Sequence, residues 1–279
     1  MKKTEVKDAI FSELSKLVAD KGFRYSKKED GQLIRQFKGG YHLMYGAITD
    51  YCPHFEFDLS VEIRLDAAVE IYLAFFDLPP SFRAETSTTT INLGYFLNDC
   101  RDKRFQVSTS SEISKTISLL APVIVEKIIP LLDRCTDVYG LDILMNSGTE
   151  FSAAGSLIVA RLASNPNFEK LVSAWGKKIT DYNLEDYQQN FSRLVEFLRG
   201  YDVANPPALP ALKQVKTKPE DWPVGLPVKH SVFGLGTVVK TQGRDDRLEV
   251  KVDFGKAGTH KIAVGTCEYE GYGTILEKA

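Results

Sequence analysis

"KHSVFGLGTVV", Lys229–Val239, decides how the end of this chain folds. Two glycines and a phenylalanine interrupt a run that otherwise favours a strand. Gly234 and Gly236 permit a sharp reversal that side chains would obstruct, and Phe233 can fold inward as a core plug. Strand patterns surround the motif at Pro227–Ser231, Gly236–Gln242, Arg247–Phe254 and His260–Val264. Within the third, Leu248, Val250, Val252 and Phe254 alternate with polar residues, the period of a half-buried strand. Turn residues Gly243–Asp246 and Gly255–Gly258 separate them. An open sheet this small would leave its edges and one face bare, so the pattern predicts a small all-β barrel.

Upstream, Pro206, Pro207, Pro210, Pro219 and Pro223 crowd a stretch with few large apolar residues, the composition of a semi-extended linker. Before the linker the pattern is helical from Phe151 to Tyr201, broken at Asn165-Pro166 and ended by Gly200. Ile113, Ile117, Leu120, Ile124, Ile128 and Leu131 keep helical spacing, with Ser110 or Ser111 as N-cap and Pro122 expected to kink the helix or split it in two. The first third opens with an amphipathic helix, Thr4–Lys21, capped by Gly22. Strand signals follow, with turns at Asp30-Gly31 and Gly39-Gly40. His54–Asp66 alternates strictly and reads as one strand with a wet face. Ala67–Asp77 leans to helix, and Thr88–Phe96 and Arg104–Ser108 add weaker strands. The expected layout is an α+β domain (helix plus antiparallel sheet) over 1–145, a helical extension over 146–201, a linker over 202–222 and an SH3/Tudor-like barrel over 223–279.

A formal net charge of -2 supplies no general basic field for nucleic acid, so such binding would need a local patch. Basic and acidic residues nearly balance in the terminal unit, and Arg247, Glu249, Lys251 and Asp253 alternate in sign along its third strand. Nucleic acid is therefore the disfavoured partner and protein the favoured one. Cys52, Cys100, Cys135 and Cys267 form no CxxC pair, which speaks against a zinc site or disulfide framework and suits a cytoplasmic thiol environment. Glu5, Asp8 and Glu13 interrupt any apolar leader, and no apolar run is long enough to span a bilayer.

The order His230, Phe233-Gly234, Gly236, Val238, then Val252-Asp253-Phe254 and Lys261, resembles the Tudor-like (SH3-fold) domain at the C-terminus of UvrD/PcrA-type DNA helicases. The resemblance spans only Pro227–Val264. It implies an interaction module: in those helicases the appendage contacts RNA polymerase and other partners. The helicase motor has no counterpart, since no GxxxxGK[ST] loop occurs in the sequence. The residues before the linker loosely resemble a bacterial domain family of unknown function, through "IIPLLDRCTDVYGLDIL" (Ile128–Leu144) and "SNPNFEKL" (Ser164–Leu171), and this implies no activity.

Other constellations have bland explanations. Glu56, Asp58 and Glu62 share the polar face of the alternating strand, which accounts for them without metal or acid/base chemistry. His42, Cys52 and His54 are the clustered soft-metal candidates, but their spacing is irregular and a fourth ligand is lacking. Cys52-Pro53-His54 lacks an orienting third group, and no GxSxG elbow exists. "FGLGTV" precedes a strand, whereas a dinucleotide site needs a helix there. The sequence thus predicts a non-enzymatic binding protein without metal or cofactor, the alternatives being an enzyme of unidentified chemistry in the N-terminal domain or a nucleic-acid-associated protein. Its partner would be held by edge-strand pairing or in a groove near His230, Phe233, Arg247 and Lys251, with Gly234 and Gly236 as structural turn residues.

Overall fold

The computed structural model describes residues 1–26, 31–76, 78, 80–83, 85–97, 104–147, 151–180, 185–210, 218–230, 233–243, 248–264 and 276–278. Two compact units divide the chain: residues 1–70 with 87–172, and residues 71–86 with 173–279.

Helix α1 (Lys3–Val18) buries Val6, Ile10, Phe11, Leu14 and Val18 along one stripe, and Gly22, at φ 80°, caps the short turn that follows. Strands β1 (Arg24–Ser26), β2 (Gln32–Phe37) and β3 (Gly40–Tyr45) then form a meander. Gly39 supplies the left-handed residue of the β2–β3 turn, whereas Asp30 of the other expected turn lies outside the described residues. Strands β4 (Ile48–Asp50), β5 (Phe55–Phe57) and β6 (Ser60–Leu65) come next.

The alternation expected after His54 is present, with Phe57, Leu59, Val61 and Ile63 buried, but it belongs to two strands. β5 pairs with β4, and β6 pairs with β3. The chain changes sheet at Asp58–Leu59, where the Asp58 amide donates to Ala47 O and Leu59 O accepts from the Leu93 amide. Alternation reports which side is wet; it is blind to a change of pairing partner.

Helices α2 (Asp66–Phe75) and α3 (Pro80–Arg83) lead to β7 (Thr89–Asn92), which completes a sheet ordered β1-β2-β3-β6-β7. The strand expected to run to Phe96 stops at Asn92. That side chain accepts from the Tyr95 amide and caps a short helix, α4 (Leu93–Phe96). β8 (Phe105–Gln106) closes the second sheet, β4-β5-β8.

In helix α5 (Ser110–Val123) the N-cap is Thr109, one residue before the expected serines. Its hydroxyl accepts from the Glu112 amide at 3.2 Å while Glu112 accepts from the Thr109 amide at 2.9 Å, a reciprocal capping box. Pro122 does not split the helix. A π-helical turn, Ile124–Ile128, follows and runs into α6 (Ile129–Arg134). Helix α7 (Val138–Asn146), unforeseen in the sequence, starts where Asp137 accepts from the Gly140 amide. It packs on α8 (Ala153–Leu162), in which every residue from Ala153 to Ala160 is buried. Small residues suit a helix covered on all sides; at Gly155 a side chain would press on Thr88 O and Met145.

Helices α9 (Phe168–Thr180) and α10 (Glu185–Arg199) follow. Within the second unit, Phe75 and Phe76 meet Phe197 and Tyr187 with ring centroids 5.1 and 5.2 Å apart, joining residues 71–86 to the helical segment.

The chain ends in an antiparallel sheet of β9 (Pro227–His230), β10 (Gly234–Gln242), β11 (Glu249–Asp253), β12 (Thr259–Ala263) and β13 (Leu276–Lys278), ordered β12-β11-β10-β9-β13. Val228, Val238, Leu248, Val250 and Val252 are fully buried in its core. Each contributes about 1.5–3 kcal/mol by leaving water. The core also takes in Trp222, which the composition had placed in the linker; Trp222 O accepts from the Thr241 hydroxyl.

Candidate interaction site

The opening motif places its aromatic residue in a cluster. His230 ends β9 facing inward, only 3% exposed, and its Nδ1 accepts from the Phe233 amide at 3.2 Å. The His230 ring stacks on Phe233 with centroids 4.5 Å apart. Phe233 in turn stacks on His260, 3.9 Å away and 10° from parallel. Phe254 lies beneath, 5.4 Å from Phe233 and 5.7 Å from His230. His260 carries its proton on Nε2, which donates to Ala257 O at 2.8 Å. Burial first, and then the neighbouring His260, hold the His230 pKa below its ordinary value, consistent with Nδ1 acting as an acceptor. Phe233 and His260 are half-buried and form the rim of the cluster; His230 and Phe254 form its floor.

The two glycines serve different purposes. Gly234 has φ 76° with open space where a Cβ would stand, so its requirement is conformational. Gly236 faces the core, where a Cβ would strike the Phe254 ring and come within 2.7 Å of Val252 Cγ1. Gly236→Ala is therefore expected to cost about 1–3 kcal/mol by overpacking. Gly234→Asn, which tolerates the left-handed region, should cost less. Thermal unfolding of the two variants checks the order.

The sequence-predicted site residues divide between the two faces of the sheet. His230 and Phe233 belong to the inner cluster. Lys251 lies between the inward Val250 and Val252 and points outward into solvent. Arg247 lies outside the described residues. His260, which the sequence reading left out, completes the rim; its signal was its place opposite Val252 in the next strand.

In the N-terminal unit the soft-metal candidates are engaged otherwise. His42 is fully buried: its Nε2 donates to Cys135 O at 2.9 Å, and its Nδ1 accepts from Arg35 at 3.1 and 3.3 Å. Arg35 also binds Asp133 at 2.7 Å. Burial lowers the His42 pKa to about 4 and raises that of Cys135 to about 11. Cys52 is exposed, and His54 stacks on Tyr51 at 5.8 Å. Glu56 stands 3.8 Å from Arg104, Asp58 accepts from the Ala47 amide, and Glu62 belongs to the other sheet. Among the described residues no group of three or more His, Cys, Asp or Glu is placed to hold a metal ion. No helix among them is long and apolar enough to cross a membrane.

No curated protein and no solved structure matches the chain. The looser N-terminal resemblance rests on the sequence pattern alone. The terminal sheet is different: residues 224–265 match the PcrA/UvrD tudor domain, the family whose motif His230, Phe233-Gly234 and Gly236 suggested.

Proposed function

We propose that this is a non-enzymatic, cytoplasmic binding protein whose terminal strands curl into an SH3/tudor-like barrel that recognises another protein. The observation that carries the reading is the tudor match over residues 224–265, falling on a sheet with its own buried core. Two features of that sheet suit a partner segment. β12 is the edge strand beside β11 and offers backbone groups for pairing. The Phe233–His260 rim supplies an aromatic surface at the end of the same strand, and Lys251 adds charge on the outer face. The N-terminal unit has no role in chemistry on this reading. His42, its best placed candidate, is buried with both ring nitrogens already bonded.

The test is affinity capture with the full-length chain beside a chain ending at Asp202, read by mass spectrometry. A protein retained only by the full-length chain supports the reading. Identical captures by both chains contradict it and move recognition to the N-terminal residues.

A further inference from the structure

The outward face of the terminal sheet carries a charge pattern that its strands, read singly, conceal. Along β11 the signs alternate. Across the strands they do not: Lys240 stands opposite Lys251, and Lys251 stands opposite Lys261. All three side chains are exposed. The row exists because of a bulge in β10. Val238 pairs with Val252 but Lys240, not Val239, pairs with Lys251. Regular pairing would set Lys240 opposite the inward Val250; the extra residue turns both Val239 and Lys240 outward.

Strands are about 4.8 Å apart, so the three ammonium groups are spaced within roughly one Debye length and repel one another. Like charges placed directly opposite destabilise a sheet. The neighbouring carboxylates are hydrogen-bonded to amides rather than paired with these lysines. Asp253 accepts from the Gly255 amide at 2.9 Å, and Glu249 accepts from Gln242 at 2.8 Å. Among the described residues the three lysines make no ion pair. A fourth lysine, Lys229, is exposed opposite Leu235, and Leu235 and Val239 are themselves 71% and 42% exposed.

We infer that this face docks an acidic segment of a partner protein, its carboxylates meeting Lys240, Lys251 and Lys261 and its apolar side chains covering Leu235 and Val239. The inference rests on the protein-binding reading above and names the partner's chemistry. A nucleic acid would bring the same charge, but it is bound through aromatic stacking or a broad basic field. The described aromatic rings of this sheet belong to its other face, with Phe233 and His260 half-buried at the rim there, and on the outer face Lys251 is flanked along β11 by Glu249 and Asp253. Exposed aliphatic side chains beside the lysines fit a protein segment better.

The test uses the full-length chain and three labelled probes: a peptide alternating Glu and Leu, the same peptide with Gln for Glu, and an oligothymidylate. Fluorescence anisotropy gives each affinity. The acidic peptide should bind most tightly and weaken about tenfold or more in K240Q/K251Q/K261Q, from three exposed pairs each worth up to about 1 kcal/mol. L235S/V239S should also weaken it. The triple variant should melt no lower than the wild type, because the repulsion is gone, and the triple Lys→Arg variant should keep binding. Equal binding by the wild type and the triple variant overturns the inference, as does tighter binding of the oligothymidylate. If capture that requires residues after Asp202 survives in the triple variant, the inference falls while the protein-binding reading stands. If wild-type capture does not require those residues, that reading itself falls.

Discussion

Phe254→Ala is expected to unfold the terminal sheet without unfolding the rest of the chain. Phe254 is 6% exposed and touches every other ring of the inner cluster, with His260 centred 6.0 Å away and Gly236 held directly against its edge. Removing a buried phenylalanine costs about 3–5 kcal/mol through lost transfer energy and the cavity left behind. A single small core rarely supplies more than about 3–5 kcal/mol in total, so the loss is of the same size as the whole stability of the sheet. Hydrogen exchange read by mass spectrometry checks this. Peptides from β9 to β12 should lose protection while those from α1 and α8 keep theirs. Unchanged protection in the terminal strands would mean that the aromatic cluster does not hold them together. Phe254→Leu should cost less than half as much, since most of the volume remains.

Acid should weaken the N-terminal unit through His42. Unfolded, its imidazole titrates near 6.5; folded, near 4. Between those values the unfolded chain holds the extra proton, so stability falls as the pH drops and levels off below the folded value. The interval corresponds to about 3 kcal/mol, lost between pH 6.5 and 4. The physical cause is burial of a ring whose acceptor nitrogen faces Arg35; a proton there would bring two cations together in the interior. His42→Gln removes the titration. Its urea-unfolding midpoint should be lower than that of the wild type at neutral pH, because the links to Arg35 and Cys135 O are disturbed. Its stability should also depend less on pH between 6.5 and 4. Parallel pH profiles for the two proteins would show that His42 does not set the acid response.

His42 also marks where reading the sequence stops. As a residue type beside Cys52 and His54 it resembled a metal ligand. Its real partners, Arg35 and Cys135, lie 7 and 93 residues away, and no local pattern announces a pairing at the longer distance. What local pattern does announce was legible: the stripe of α1, the cap at Gly22, the terminal strands and the tudor motif all follow from periodicity and backbone demands. The failures have two causes, tertiary context overriding a local preference and a local cap that the strand pattern masked. Phe55–Leu65 kept its alternation while its strand changed sheets, and Leu93–Phe96 became helical once Asn92 capped it. The lysine row is the clearest case. Lys240, Lys251 and Lys261 belong to three strands, and only the bulge before Lys240 brings the first of them into line.

Site-specific photocrosslinking tests the central claim most directly. A photoreactive residue at position 235, on the outer face of the terminal sheet, is compared in the full-length chain with one at position 143, an equally exposed site on α7. The account predicts a discrete, nuclease-resistant protein adduct from position 235 and none from position 143. Adducts only from position 143, or a nuclease-sensitive adduct from position 235, would contradict it.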